Sequence, residues 1–204
     1  MPLELVLVRH GETEWSRDGR HTGATDVPLT EVGREQAGAV REALAGESFG
    51  RVLTSPLARA ADTARLAGYG DAEPRDELRE WDYGEYEGRR TAEIREERPG
   101  WTLWRDGVPG GETAAQVGAR VDRLLDELRR DDGRVLAFAH GHLLRVLAAR
   151  WVALEPEAGR LFALDTATVG VLGHERETAV IRLWNAPMLP RQTPSPANPR
   201  AHRT

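Results

Sequence analysis

LELVLVRHGETEW, residues 3–15, decides the fold. Leu3 to Val8 form a mostly apolar run, as a buried strand requires. The run stops at Arg9-His10-Gly11: a cation, a titratable ring and a residue with no side chain. One reading is a strand cap followed by a turn. The other is the carboxyl end of a strand in a parallel sheet, where α/β proteins hold their ligands.

Two later segments end in the same way. RVLT (51–54) runs into Ser55-Pro56, with Arg59 close behind, and VLAFA (135–139) runs into His140-Gly141-His142. If the three strands lie parallel in one sheet, their ends bring Arg9, His10, Arg59 and His140 together. Two arginines, two histidines and the free N–H groups of helix starts suit a dianion. Gly11 and Gly141 are expected to remove Cβ atoms where backbone meets that ligand. A phosphoryl group fits the inventory: arginines neutralise its oxygens, and a neutral imidazole can attack phosphorus. The leaving alkoxide then needs a proton donor. The acidic, aromatic stretch 77–88 reads as a shaped loop, and spacing alone leaves Glu77, Glu80, Asp82, Glu85 and Glu87 open for that task.

Elsewhere strand and helix signals alternate. Thr30–Ala45 reads as a helix N-capped by Thr30, with Val32, Val40 and Leu44 on one face. Ser55-Pro56 reads as N-cap and first position of a helix to about Ala67. Thr113-Ala114-Ala115-Gln116 matches a capping box and opens an amphipathic helix carrying Val117, Val121, Leu124, Leu125 and Leu128. A helix follows His140 to about Ala153. Leu161–Leu164, Thr168–Gly173 and Thr178–Trp184 read as strands, the last two as a hairpin across His174–Glu177. Together they predict an α/β fold: one three-layer domain over residues 1–186, with a largely parallel central sheet and helices on both faces. Residues 187–204 hold five of the twelve prolines and read as a disordered tail.

Composition narrows the chemistry. All 28 basic side chains are arginine, which removes Schiff-base lysines and the P-loop lysine. No cysteine is present, so disulfides and thiolate nucleophiles are excluded, and a cytoplasmic location is expected. The formal net charge of −5 argues against a nucleic-acid partner. No apolar run reaches membrane-spanning length, and no signal peptide is expected. Trp15, Trp81, Trp101 and Trp104 are expected to pack rather than to touch substrate.

Taken together, these blocks resemble the histidine phosphatase superfamily, also called phosphoglycerate mutase-like, over about residues 1–185. The blocks are Leu7-Val8-Arg9-His10-Gly11-Glu12-Thr13, Pro28-Leu29-Thr30 with Gly33, Thr54-Ser55-Pro56-Leu57-Ala58-Arg59-Ala60 with Thr63-Ala64, Leu78-Arg79-Glu80 through Gly88, Gly111-Glu112-Thr113 and Ala139-His140-Gly141. The resemblance implies that His10 is phosphorylated, that Arg9, Arg59 and His140 hold the phosphoryl group and that Glu80 protonates the leaving group. It also implies phosphate- or substrate-binding roles for Ser16, His21, Thr22, Gly23, Gly141 and His142, and no metal or cofactor. Ser16 stands where many members carry Asn, His21 where many carry Gln, and His142 where a glycine commonly follows His-Gly. The pattern is nearest the acid phosphatase and sedoheptulose-bisphosphatase-like branches. The expected activity is hydrolysis of a small phosphorylated metabolite, a sugar phosphate or bisphosphate, through a phosphohistidine. A phosphoglycerate mutase is the alternative, with Arg89-Arg90 as a candidate arginine pair. A non-catalytic phospho-ligand-binding domain is the alternative from another class, and a homodimer is the assembly considered.

Overall fold

The computed structural model describes residues 2–130 and 132–187. Its elements are β1 (Glu4–Arg9), α1 (Glu14–Arg17), α2 (Glu31–Ala43), β2 (Arg51–Thr54), α3 (Ala58–Leu66), β3 (Glu73–Pro74), α4 (Thr91–Glu97), α5 (Leu103–Asp106), α6 (Ala114–Leu128), β4 (Arg134–Ala139), α7 (Gly141–Trp151), β5 (Thr168–Glu175) and β6 (Thr178–Pro187). The six strands form one sheet in the order β3-β2-β4-β1-β5-β6. The first four are mutually parallel, and β5 and β6 add an antiparallel edge. Pro187 closes β6, and the rest of the proline-rich segment lies outside the described residues.

Alternation along the strands builds three layers. Leu5, Leu7, Leu53, Val135 and Ala137 face a core shared with α6 and α7. Val6, Val8, Leu136 and Phe138 face the opposite core, shared with α2 and α3. Caps hold the helix starts in place. Thr30 Oγ1 accepts from Gly33 N at 3.0 Å, and Thr113 and Gln116 close the expected capping box on α6. Strand register is the feature that matters for function. Arg9 pairs with Ala139 and Thr54 with Phe138, so β1, β2 and β4 end level. His10 N then donates to Ala139 O at 2.9 Å, and Ser55 N to Phe138 O at 2.9 Å.

Four local expectations are corrected. Leu161–Leu164 is not a strand: Pro156–Leu161 winds into a 3₁₀ turn, Leu161 is 67% exposed, and β5 already occupies the free edge of β1. The helix after β2 is N-capped at Leu57, not Ser55; Ser55 Oγ still accepts from Leu57 N at 3.3 Å, but its side chain is engaged elsewhere, as described below. Val32 is 48% exposed, because the inward stripe of α2 is Gly33, Ala37 and Val40. Lastly, Gly11 does not make room for a ligand, while Gly141 lines the cavity at the strand ends but lies against Arg9. A Cβ on Gly11 would collide with the Gly33 carbonyl, and one on Gly141 would sit 3.3 Å from the Arg9 guanidinium carbon. Gly11 lets backbone cross backbone, and Gly141 lets a cation lie against a helix start.

Candidate active site

The level strand ends place His10 and His140 side by side, with ring centroids 5.2 Å apart. His10 Nδ1 lies 2.7 Å from the Gly11 carbonyl. A carbonyl can only accept, so Nδ1 carries the hydrogen and Nε2 keeps its lone pair. Burial first, and then the charges of Arg9 and Arg59, push the His10 pKa well below its ordinary value. The ring is therefore neutral and able to act as a nucleophile at physiological pH. The same order of causes, burial and then Arg59, pushes His140 down. Its Nε2 is 2.8 Å from Ser55 Oγ.

Arg59 is fully buried at the first turn of α3. Nη1 donates to Thr25 O (3.0 Å), and Nη2 donates to Thr22 O and Gly23 O (both 2.9 Å). Thr22 and Gly23 thus enter through their carbonyls, as the support of Arg59. Glu87 holds the same loop by accepting from Gly23 N and Thr25 N. Thr63, one turn after Arg59, accepts from Gly11 N at 3.0 Å and donates to Arg59 O at 2.7 Å, joining the two phosphate-side segments. Arg9 Nη1 is fixed by Leu164 O at 2.5 Å. After these bonds, three buried nitrogens of this cluster have no partner: Arg9 Nε, Arg59 Nε and His140 Nδ1. The two arginine Nε groups are donors, and His140 Nδ1 is a third in the tautomer whose Nε2 accepts from the Ser55 hydroxyl; buried donors left unmatched each cost about 1–3 kcal/mol, so such a cluster marks an acceptor-binding site.

Glu80 stands across the pocket. Its Oε1 accepts from Trp81 N and Leu143 N (both 2.9 Å), and its Oε2 accepts from His142 N (3.1 Å). The carboxylate is thereby tied to the amino end of α7. Arg120 clamps its backbone from behind, donating to Glu80 O and bidentately to Glu112. Of the acidic residues in the 77–88 loop, only Glu80 lines the cavity that contains His10.

That cavity, of about 240 Å³, is lined by Arg9, His10, Ser16, Arg20, His21, Thr22, Glu80, Gly141 and His142, whereas Arg59, His140 and Gly23 are not among its lining residues. Ser16 also closes the capping box of α1 with Thr13, its Oγ accepting from Thr13 N at 2.9 Å. Burial alone lowers His21 to about 4. Tyr83 and Arg145 line the cavity too, and neither was assigned to the site from the sequence; Ser55, Thr63 and Glu87, which the sequence offered as a cap, a motif residue and a candidate acid, support it from behind. Trp81 and Trp101 are core residues, Trp104 is partly buried against the core, and Trp15 packs on Gly88. Arg129 and Arg130 are exposed at the end of α6; Asp131 and His202 lie outside the described residues. Among the described residues, no group of three or more His, Cys, Asp or Glu is placed to hold a metal ion, and no helix is long and apolar enough to cross a membrane.

A parallel α/β sheet whose level ends carry two histidines, two arginines and unmatched donors, with a carboxylate opposite, defines an enzyme of phosphate-ester chemistry. The histidine phosphatase superfamily (branch 1) profile matches residues 5–187, and the chain belongs to that family. It is 44% identical over 197 residues to an acid phosphatase of Mycobacterium tuberculosis, covering 90% of this chain and 94% of that one. It is 38% identical over 183 residues to the sedoheptulose 1,7-bisphosphatase of Saccharomyces cerevisiae, covering 73% and 67% respectively. A solved structure of an open reading frame product from Mycobacterium tuberculosis superimposes with a TM-score of 0.86 at 41% identity, covering 91% of this chain and 98% of that one.

Proposed function

We propose that the chain is a phosphomonoesterase of a small phosphorylated metabolite, a sugar phosphate or bisphosphate, working through a phosphohistidine at His10. The observation that carries this reading is the set of three unmatched buried nitrogens around a neutral His10 whose Nε2 is free. In the first step Nε2 attacks phosphorus, the P–N bond forms and the ester P–O bond breaks. Arg9, Arg59 and His140 hold the non-bridging oxygens as charge shifts onto them, each donor being worth about 10²–10³-fold in rate. Glu80 enters this step in its acid form and gives that proton to the departing alkoxide, becoming the carboxylate. In the second step water attacks phosphorus, the P–N bond breaks and Glu80 takes the proton of the water, returning to its starting form. Arginines rather than a metal ion carry the phosphoryl charge in this scheme.

Relatives named as an acid phosphatase (44% identical) and a sugar bisphosphatase (38%) support hydrolysis over isomerisation, since the relatives named as phosphoglycerate mutases are less similar, at 31–36%. The Arg89-Arg90 pair supports it as well, since it is not positioned as a substrate clamp: Arg89 is paired with Glu97 at 2.6 Å, and Arg90 is exposed at the start of α4. A cytoplasmic location fits a cysteine-free enzyme of charged intermediates. The test is phosphate release across sugar phosphates, sugar bisphosphates and phosphoglycerates, with isomer formation followed in parallel. Phosphate without isomer is expected, with His10→Ala slower by about 10⁴-fold or more. Isomer as the main product, or undiminished turnover in His10→Ala, overturns the proposal.

A further inference from the structure

Behind the wall that carries Glu80 lies a buried ion pair that phosphoryl transfer at His10 does not use. Arg120 sits on α6 and is 9% exposed. A guanidinium has five N–H hydrogens, and here each finds an acceptor. Nε donates to Glu112 Oε1 at 2.8 Å, and Nη2 to Glu112 Oε2 at 2.9 Å. Nη1 donates to Glu77 O at 2.9 Å and to Arg79 O at 2.8 Å, and the second hydrogen of Nη2 goes to Glu80 O at 3.1 Å. Burial works to raise the Glu112 pKa, but the Arg120 bonds and charge hold the carboxyl below its usual range, so the pair is ionic. A buried ion pair seldom adds net stability, because desolvation offsets the attraction; positioning is the better account of it.

What the pair holds is the backbone around Glu80. Residues 79–83 belong to no helix or strand and lie between 3₁₀ turns at Asp76–Leu78 and Gly84–Tyr86. Lacking a regular ladder, they are fixed from outside. Arg120 takes the carbonyls of Glu77, Arg79 and Glu80, and Glu112 takes the residues that follow. Glu112 N donates to Asp82 O at 2.9 Å, Glu112 Oε2 accepts from Asp82 N at 2.9 Å, and Glu112 O accepts from Trp81 Nε1 at 2.8 Å. Held this way, the Glu80 carboxyl has unequal oxygens. Oε1 accepts from both Trp81 N and Leu143 N, whereas Oε2 accepts from His142 N alone. Each carboxyl oxygen offers two lone pairs, so Oε1 is filled and Oε2 has one to spare for a proton. The inequality holds only while residues 80 and 81 stand at this height against the start of α7.

We propose that Arg120 and Glu112 are positioning residues for the general acid: their forked pair sets the Glu80 backbone so that the acid hydrogen sits on Oε2, the oxygen that serves the leaving group. This rests on the phosphatase reading and deepens it. In the step itself the Oε2–H bond breaks and its hydrogen goes to the ester oxygen as that oxygen leaves phosphorus. Neither Arg120 nor Glu112 touches the substrate. The planar fork matters as much as the charge, since a lysine ammonium cannot reach a carboxylate bidentately and three carbonyls at once.

The test compares two esters in one preparation. kcat/KM is measured for p-nitrophenyl phosphate, whose leaving group needs no proton, and for the alkyl phosphate that wild-type protein hydrolyses fastest among sugar phosphates and bisphosphates. The ratio of the two is unaffected by the fraction of enzyme that folds, so a destabilised variant still gives an answer. In Arg120→Met and Arg120→Lys the alkyl-to-nitrophenyl ratio should fall by about 10- to 100-fold, the cost of a misplaced acid. In Glu112→Gln, which keeps the shape of the side chain and loses its charge, it should fall by about 3- to 10-fold. Arg120→Lys added to Glu80→Gln should leave the ratio of Glu80→Gln unchanged to within about 2-fold, because the positioned group is already gone. Equal losses on the two esters overturn the proposal, as does a wild-type ratio in Arg120→Lys or a further fall in the double variant. Wild-type protein that hydrolyses no alkyl phosphate overturns the phosphatase reading and this proposal with it; a wild-type enzyme active on both esters, with a ratio indifferent to Arg120, overturns this proposal alone.

Discussion

The two sides of the cavity are built differently. The phosphate side is made of strand ends: Arg9 and His10 at the end of β1 line the cavity, and His140 after β4 and Arg59 at the start of α3 are buried behind them. Parallel pairing fixes their heights, and backbone hydrogen bonds such as His10 N to Ala139 O leave them little freedom. The opposite side is made of side chains on a loop and a helix face: Glu80 and Tyr83 from residues 77–88, and His142 and Arg145 from α7. Its geometry depends on side-chain bonds, among them the Arg120–Glu112 clamp and the Tyr83–His142 pair. One side should act on every substrate alike. The other should discriminate between substrates.

Substitutions can break or sharpen that contrast. The largest effect belongs to the phosphate side. Arg59→Ala removes one free donor and also unties the carbonyls of Thr22, Gly23 and Thr25. Its kcat/KM should fall by about 10²–10³-fold for every ester tested, and chemical denaturation should show a loss of about 3 kcal/mol or more. Glu80→Gln comes next and depends on the substrate. In kcat/KM, which covers only the steps through P–O cleavage, an alkyl phosphate should lose about 10²–10³-fold and p-nitrophenyl phosphate, whose leaving group needs no proton, less than about 10-fold, whereas kcat limited by hydrolysis of the shared phosphohistidine should fall for both. Equal losses in kcat/KM on the two esters would move the proton donor elsewhere.

The pH dependence of stability reports on both sides together. His10, His140 and His142 are held well below the ordinary histidine value, and His21 is at about 4. Their folded pKa values are depressed, so the unfolded chain binds more protons below pH 6.5. Stability is therefore full above pH 6.5 and is lost as pH falls toward the folded values, by about 1.4 kcal/mol per pH unit for each ring still neutral in the fold. Urea midpoints should drop steeply between pH 6.5 and 4, and a flat profile would contradict the neutral rings. The smallest effect is Tyr83→Phe on the discriminating side. It frees His142 to change tautomer and should raise KM by about 3- to 10-fold for a bisphosphate, with kcat little changed, in steady-state assays.

The same contrast explains what could be read from the chain alone. Strand runs, capping residues and the three cation-bearing or histidine-bearing strand ends are local patterns, so the α/β architecture and the grouping of Arg9, His10, Arg59 and His140 were legible. Register then converted adjacency in the sheet into a pocket. Residues whose importance comes from a distant partner left no sign of that partner. Thr63 matters because Gly11 N reaches it, Ser55 because of His140, and Arg120 because it holds the Glu80 carbonyl. Gly11 showed the need for a glycine but not its reason, since its neighbour, Gly33, is 22 positions away in sequence. The choice of Glu80 among five acids of one loop follows from three backbone N–H groups that only the fold brings together.

The central claim is that His10 Nε2 takes the phosphoryl group. A single turnover with enzyme in excess over a sugar phosphate, quenched in alkali to preserve N-linked phosphate and read by peptide mass spectrometry, tests it directly. The account predicts a transient phosphoryl adduct on His10 that forms before free phosphate appears and is absent from His10→Ala. Phosphate produced at the full single-turnover rate with the phosphoryl adduct on another side chain would contradict it.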